Sequence, residues 1–121
     1  MKLLVVDDHP EARQMVSRLL LFLGHEVHEA ATAQEAEAYL DDPANGVDIV
    51  FMDLLLGRNN GLAVAERMEA RRPGLRVLFM SGHDESLCDV EALHGRRRGF
   101  IGKPFSLDKL AEALASLAAA D

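Results

Sequence analysis

Asp7, Asp8, Asp53, Ser81 and Lys103 are the residues of this chain whose types and order could do chemistry together. Asp7 and Asp8 are adjacent, and neighbouring carboxylates repel each other unless something positive lies between them. Each polar group follows an apolar run: "LLVV" precedes Asp7, "IVFM" precedes Asp53, "VLFM" precedes Ser81 and "GFIG" precedes Lys103. Three carboxylates gathered in one crevice call for a cation. Hard oxygen ligands suit Mg²⁺, with Mn²⁺ as a substitute, because Mg²⁺ keeps waters and takes one or two carboxylates plus a phosphate oxygen. An acid beside such an ion can attack a phosphoryl donor, since the metal reduces charge repulsion and stabilises a charge-dispersed transition state. Asp53 is the best nucleophile because it ends the most central strand. Lys103 can meet the transferred group as a mobile point charge, and Ser81 can donate a hydroxyl hydrogen bond.

Alternating strands and helices must position these groups. Leu3 to Val6 reads as a strand buried on both faces, and Pro10 opens a helix with Ala12, Val16, Leu19 and Leu23 on one stripe, stopping at Gly24. "EVHEA" is a short alternating strand; Thr32 and Glu35 form a capping-box pattern for a helix that ends before Pro43. "VDIVFMD" is a third, central strand, followed by a loop, "LLLGRNN", and a helix through "GLAVAERMEARR" to Pro73 and Gly74. "RVLFMSG" is the fourth strand, a helix is expected from about Glu85 to His94, "GFIG" is the fifth strand, and Ser106 caps a last helix, "LDKLAEALASLAAA". Five such units imply one doubly wound α/β domain, residues 1–121, with a five-stranded parallel sheet and helices on both faces. Ligands of such sheets bind beyond the carboxyl ends of the strands, where strand order reverses, so these polar groups share one rim.

The chain has 121 residues, 49% of them hydrophobic, which suffices for a single core. Its net charge of −7 disfavours direct binding to nucleic acid or an anionic membrane. A lone cysteine, Cys88, excludes an internal disulfide and reads as a small packing residue, and no apolar run approaches membrane-spanning length. A cytoplasmic location is expected. His25, His28 and His94 read as surface or strand-face residues and His9 as the residue leading into the first helix. No pair has zinc-ligand spacing with a third ligand, so no metal role is expected of them.

From "LLVVDD" through "IVFMDL" and "VLFMSG" to "GFIGKPF", the whole chain resembles the receiver domains of response regulators in two-component signalling. Each motif alone is weak; four in order at successive strand ends are specific. The resemblance implies the flavodoxin-like strand order 2-1-3-4-5. It implies Asp53 as phosphoacceptor, Asp7 and Asp8 as metal-site acids, the main-chain carbonyl of Leu55 as a further metal ligand, and Ser81 and Lys103 as phosphate contacts. A cis bond before Pro104 belongs to the same pattern. So does a switch in which Ser81 moves toward the phosphate and Phe100 turns inward, reshaping the face of the fourth helix, fifth strand and fifth helix. The implied partners are a histidine kinase or phosphotransfer protein as donor and an output domain or protein as target, with homodimerisation through that same face.

Several positions depart from the family pattern. Gly57 stands where most relatives have proline, so a looser loop is expected around Leu55. Phe100 replaces a common tyrosine and can signal only by burial. "GRRRG", Gly95 to Gly99, offers three arginines that could dock an acidic face, although such runs are more often solvated loops. Leu55 and His83 flank the expected route of water to the aspartyl phosphate; Leu55 cannot orient a water, and slow self-hydrolysis is expected. Taken singly, Asp7 reads as a capping acid, Ser81 as a turn hydroxyl, Phe100 as a core aromatic and Lys103 as a surface lysine. The rivals are an aspartate-nucleophile phosphatase, whose second acid would fall at Leu55, and a pseudo-receiver acting only through protein contact. A nucleotide-binding module lacks its glycine motif.

Overall fold

An apolar strand with no polar face must be covered on both sides, and that requirement organises the molecule. The structure, a computed structural model, describes residues 1–82 and 97–119. Its elements are β1 (Lys2–Val6), α1 (Pro10–Phe22), β2 (Glu26–Ala30), α2 (Ala33–Asp41), β3 (Ile49–Asp53), β4 (Leu55–Leu56), β5 (Asn59–Asn60), α3 (Gly61–Arg71), β6 (Arg76–Ser81), β7 (Arg98–Gly102) and α4 (Leu107–Ala118). The helix expected from about Glu85 to His94, with Cys88 and His83, lies outside the described residues.

Five strands form one parallel sheet in the order β2-β1-β3-β6-β7, the doubly wound arrangement expected. Alternation along the strands sorts the core into two layers. Leu4, Val6, Val50, Met52, Val77 and Phe79 face α2 and α3. Leu3, Val5, Ile49, Phe51, Leu78 and Met80 face α1 and α4. Phe51 and Phe79 are the largest fully buried side chains, and each such burial contributes about 1.5–3 kcal/mol.

Local chemistry sets the helix ends. Pro10 occupies the first turn of α1, and Gly24 closes it at φ +92°, a left-handed conformation that suits glycine. Thr32 Oγ1 accepts from Glu35 N at 3.1 Å, while Glu35 Oε2 accepts from Ala31 N at 3.3 Å, one residue earlier than the reciprocal bond of a capping box. Ser106 Oγ accepts from Lys109 N at 3.2 Å. The stripe expected on α1 is turned slightly: Val16 and Leu20 are buried, Leu19 and Leu23 pack beside them, and Ala12 is only half-buried.

The stretch "LLLGRNN", expected as a loop, is a small hairpin. Leu55 pairs with Asn60 and Leu56 with Asn59, around Gly57 at φ +60°. A two-residue turn of this hand needs glycine first, and proline cannot adopt that φ, which accounts for the departure from the family pattern at Gly57. Leu56 is buried beneath the hairpin, and Asn60 caps α3 by accepting from Leu62 N at 2.9 Å. The segment is therefore tied down by pairing, burial and a cap, rather than left as the loose connection expected.

Candidate functional site

The sheet order reverses between β1 and β3, and both strands end in acids. Asp7, immediately after β1, is fully buried (0% exposed). Its main-chain N–H donates to Ala30 O at 3.2 Å, its carbonyl accepts from Arg13 Nη1 at 3.0 Å, and its Oδ1 accepts from His9 N at 2.9 Å. Asp53, the last residue of β3, is 7% exposed, and its Oδ1 accepts from Leu55 N at 3.2 Å. Ser81 ends β6, one residue beyond Met80, the register partner of Asp53, and is also buried. β7 delivers Lys103, whose main-chain N–H donates to Ser81 O at 2.7 Å; the Lys103–Pro104 bond is cis. Lys103 Nζ lies 3.1 Å from Asp7 Oδ2 and 3.4 Å from Asp53 Oδ2, one ammonium between two buried carboxylates.

One cation cannot fully compensate these acids. Burial is the main influence on Asp53 and raises its pKa; Lys103 opposes this, Asp7 adds to it, and the Leu55 amide lowers it again. Asp8 Oδ1 is buried and, among the described residues, has no hydrogen-bond partner. A buried carboxylate oxygen that accepts no hydrogen bond, approached by the His9 ring at 3.3 Å and set beside two buried acids, suits a metal ion. Donor atoms of Asp7, Asp8, His9 and Asp53 all lie within 4.8 Å of one another. The oxygens suit a hard divalent ion, so the residues present fit Mg²⁺.

Asp7, Asp8, Asp53 and Lys103 thus meet at one rim, with Ser81 beside them. Leu55 begins the hairpin next to Asp53, its side chain half exposed. Phe100 is partly buried, facing the layer that packs on α2 and α3, in register with Phe79. His83 lies outside the described residues. The arginine run is partly corrected: Arg98 belongs to β7 and pairs through both nitrogens of its fork with Glu69 on α3, with Nε 2.9 Å from Oε2, so it anchors a strand rather than offering itself to a partner. That hydrogen-bonded pairing raises the Arg98 pKa. His9, read from the sequence as the residue leading into α1, also brings a ring nitrogen among the acids; zinc-type spacing rules search for pairs of His or Cys and pass over one imidazole beside two acids.

A parallel sheet with an acidic cup and a lysine at its switch point defines a receiver-type domain. The chain belongs to the response regulator receiver domain family, whose model matches residues 3–115. Domains of this family are signalling domains of two-component systems. The chain is 36% identical over 115 residues to the positive alginate biosynthesis regulatory protein of Pseudomonas aeruginosa, covering 94% of this chain and 46% of that protein. It is 32% identical over 108 residues to sensor kinase CckA of Brucella abortus, covering 89% of this chain and 11% of that protein. The chain therefore spans less than half the length of these curated relatives. Among solved structures, the receiver domain of NtrX from Brucella abortus superposes with a TM-score of 0.82 at 35% identity, covering 97% of this chain and 98% of that one. A receiver domain protein from Clostridium thermocellum superposes at a TM-score of 0.86 and 23% identity, which bears on the fold alone.

Proposed function

We propose that residues 1–121 act as one receiver domain in which Asp53 takes a phosphoryl group from the phosphohistidine of a histidine kinase or phosphotransfer protein. An Asp53 carboxylate oxygen forms the bond to phosphorus as the phosphorus–nitrogen bond breaks, and the electron pair returns to the donor imidazole. Lys103, already between Asp7 and Asp53, neutralises the growing charge on the phosphoryl oxygens, and Ser81 donates its hydroxyl to one of them. Asp7, Asp8, Asp53 and the Leu55 carbonyl would hold Mg²⁺ or Mn²⁺. When bound, the ion supplies charge neutralisation that lets an anionic acid meet an anionic donor. Phosphorylation would then shift Ser81 and Phe100 and change affinity for an output domain or protein, or for a second copy, at the face that includes β7 and α4. Among the described residues no helix is long and apolar enough to cross a membrane.

The observation that carries this reading is one lysine bridging two buried carboxylates beside a third acid, Asp8, whose buried Oδ1 accepts no hydrogen bond among the described residues. Incubation with acetyl phosphate and Mg²⁺ should add the mass of one phosphoryl group, and both Asp53→Asn and chelation should abolish the gain. An unmodified wild-type chain, or an adduct that survives in Asp53→Asn, would refute the assignment and favour action by protein contact alone.

A further inference from the structure

The family pattern supplies oxygens to the metal; here an imidazole stands among them. His9 Nδ1 lies 3.3 Å from Asp8 Oδ1 and 3.6 Å from Asp7 Oδ1. Both are ion-pair distances between an imidazolium and carboxylates; in the tautomer that carries its hydrogen on Nε2, Nδ1 instead presents a lone pair toward the cup. Ligands about 2.1 Å from a common ion sit roughly 3.0 Å apart in octahedral and 3.4 Å apart in tetrahedral geometry. The first separation lies inside that span, and the second needs only a small side-chain adjustment.

The position of His9 is fixed by its neighbours. Pro10 confines the preceding residue to extended backbone, and His9 adopts φ −89°, ψ 112°. Its N–H is held by Asp7 Oδ1 at 2.9 Å. The ring itself is 74% exposed, so it stands on the solvent side of the cup, open to an arriving ion.

Building on the metal-dependent reading above, we propose that His9 Nδ1 is an additional side-chain ligand, making the cup a mixed nitrogen and oxygen site that favours first-row transition ions such as Mn²⁺ and Co²⁺ over Mg²⁺. Imidazole is a good ligand for the later divalent ions of the first row, whereas Mg²⁺ prefers oxygen and gains little from nitrogen. The chain would then discriminate among ions by a residue outside the acidic set.

Pulsed electron paramagnetic resonance of the full chain with Mn²⁺ should show coupling to an imidazole nitrogen, and excess Mg²⁺ should displace it. In His9→Gln the coupling should vanish. Calorimetric Co²⁺ affinity should fall about tenfold or more, while Mg²⁺ affinity shifts less than about threefold. His9 is exposed, so the variant should melt as the parent does. Nitrogen coupling that persists in the variant, or equal losses for Co²⁺ and Mg²⁺, would overturn the role of His9 while leaving the oxygen site intact. Failure of the parent chain to bind Mg²⁺ and Mn²⁺ would instead overturn the metal-dependent reading, and this inference with it.

Discussion

Asp53 carries a conflict between reactivity and stability. Burial and Asp7 raise its pKa, more than Lys103 and the Leu55 amide lower it. A carboxyl whose folded pKa exceeds its unfolded value binds more protons when folded. Its contribution therefore favours folding at low pH and is lost as pH rises from the ordinary carboxylate range through the raised value. Above the raised value the metal-free chain bears the penalty of an ionised, buried Asp53. Asp53→Asn removes the charge and keeps an oxygen for the Leu55 N–H, so it should raise the metal-free melting temperature at neutral pH by about 2–5 °C. The gain should shrink as pH falls toward the ordinary carboxylate range, where the parent carboxyl takes up its proton. Melting curves followed by circular dichroism in chelator across that pH range check this, and a variant less stable than the parent at neutral pH would contradict it.

At the scale of elements, the site depends on how closely α3 can approach the end of β3. Gly61 opens α3 directly against the acceptor strand: a Cβ there would lie 2.1 Å from the Asp53 carbonyl oxygen and 2.9 Å from Leu54 Cα. Those are backbone atoms and cannot swing aside. Gly61→Ala should therefore cost about 2–3 kcal/mol and weaken Mg²⁺ binding, because the helix can retreat only by dragging Asp53. Gly46→Ala, where a Cβ meets nothing within 4 Å, should be close to neutral. Urea unfolding of both variants, with a Mg²⁺ titration of each, makes the comparison; equal stability would show that α3 yields without cost. This dependence was not legible in the sequence, where Gly61 reads only as a residue near a helix start. The hairpin of β4 and β5 was hidden for a related reason, since strands of two residues have no periodicity to read. β1, β3 and β6 were legible because unbroken apolar runs ending in a polar residue have few other uses. The placement of Asp7, Asp53 and Lys103 at one rim followed from those strand ends, whereas the nearness of the His9 ring to the acids depends on how the chain turns into α1.

Across the whole molecule, the acids join parts of the chain that only folding brings together. Asp7 and Asp8 follow β1 and Asp53 ends β3; these strands are adjacent in the sheet although α1, β2 and α2 separate them in sequence. An ion held by both ends binds the folded arrangement and not the unfolded chain, so its binding free energy adds to stability. At a concentration 100 times its dissociation constant, the gain is about 2.7 kcal/mol. For a domain of this size that is a rise on the order of 10 °C in melting temperature. The net charge of −7 complicates the measurement, because any salt relieves self-repulsion, so the comparison must be made at matched ionic strength. Asp8 separates the two effects: its side chain is 32% exposed, so Asp8→Asn should leave the sheet and both core layers intact. The variant should keep the general response to salt and lose most of the Mg²⁺-specific rise. An equal Mg²⁺ shift in parent and variant would mean that the ion acts on the overall charge of the molecule rather than in the cup between β1 and β3.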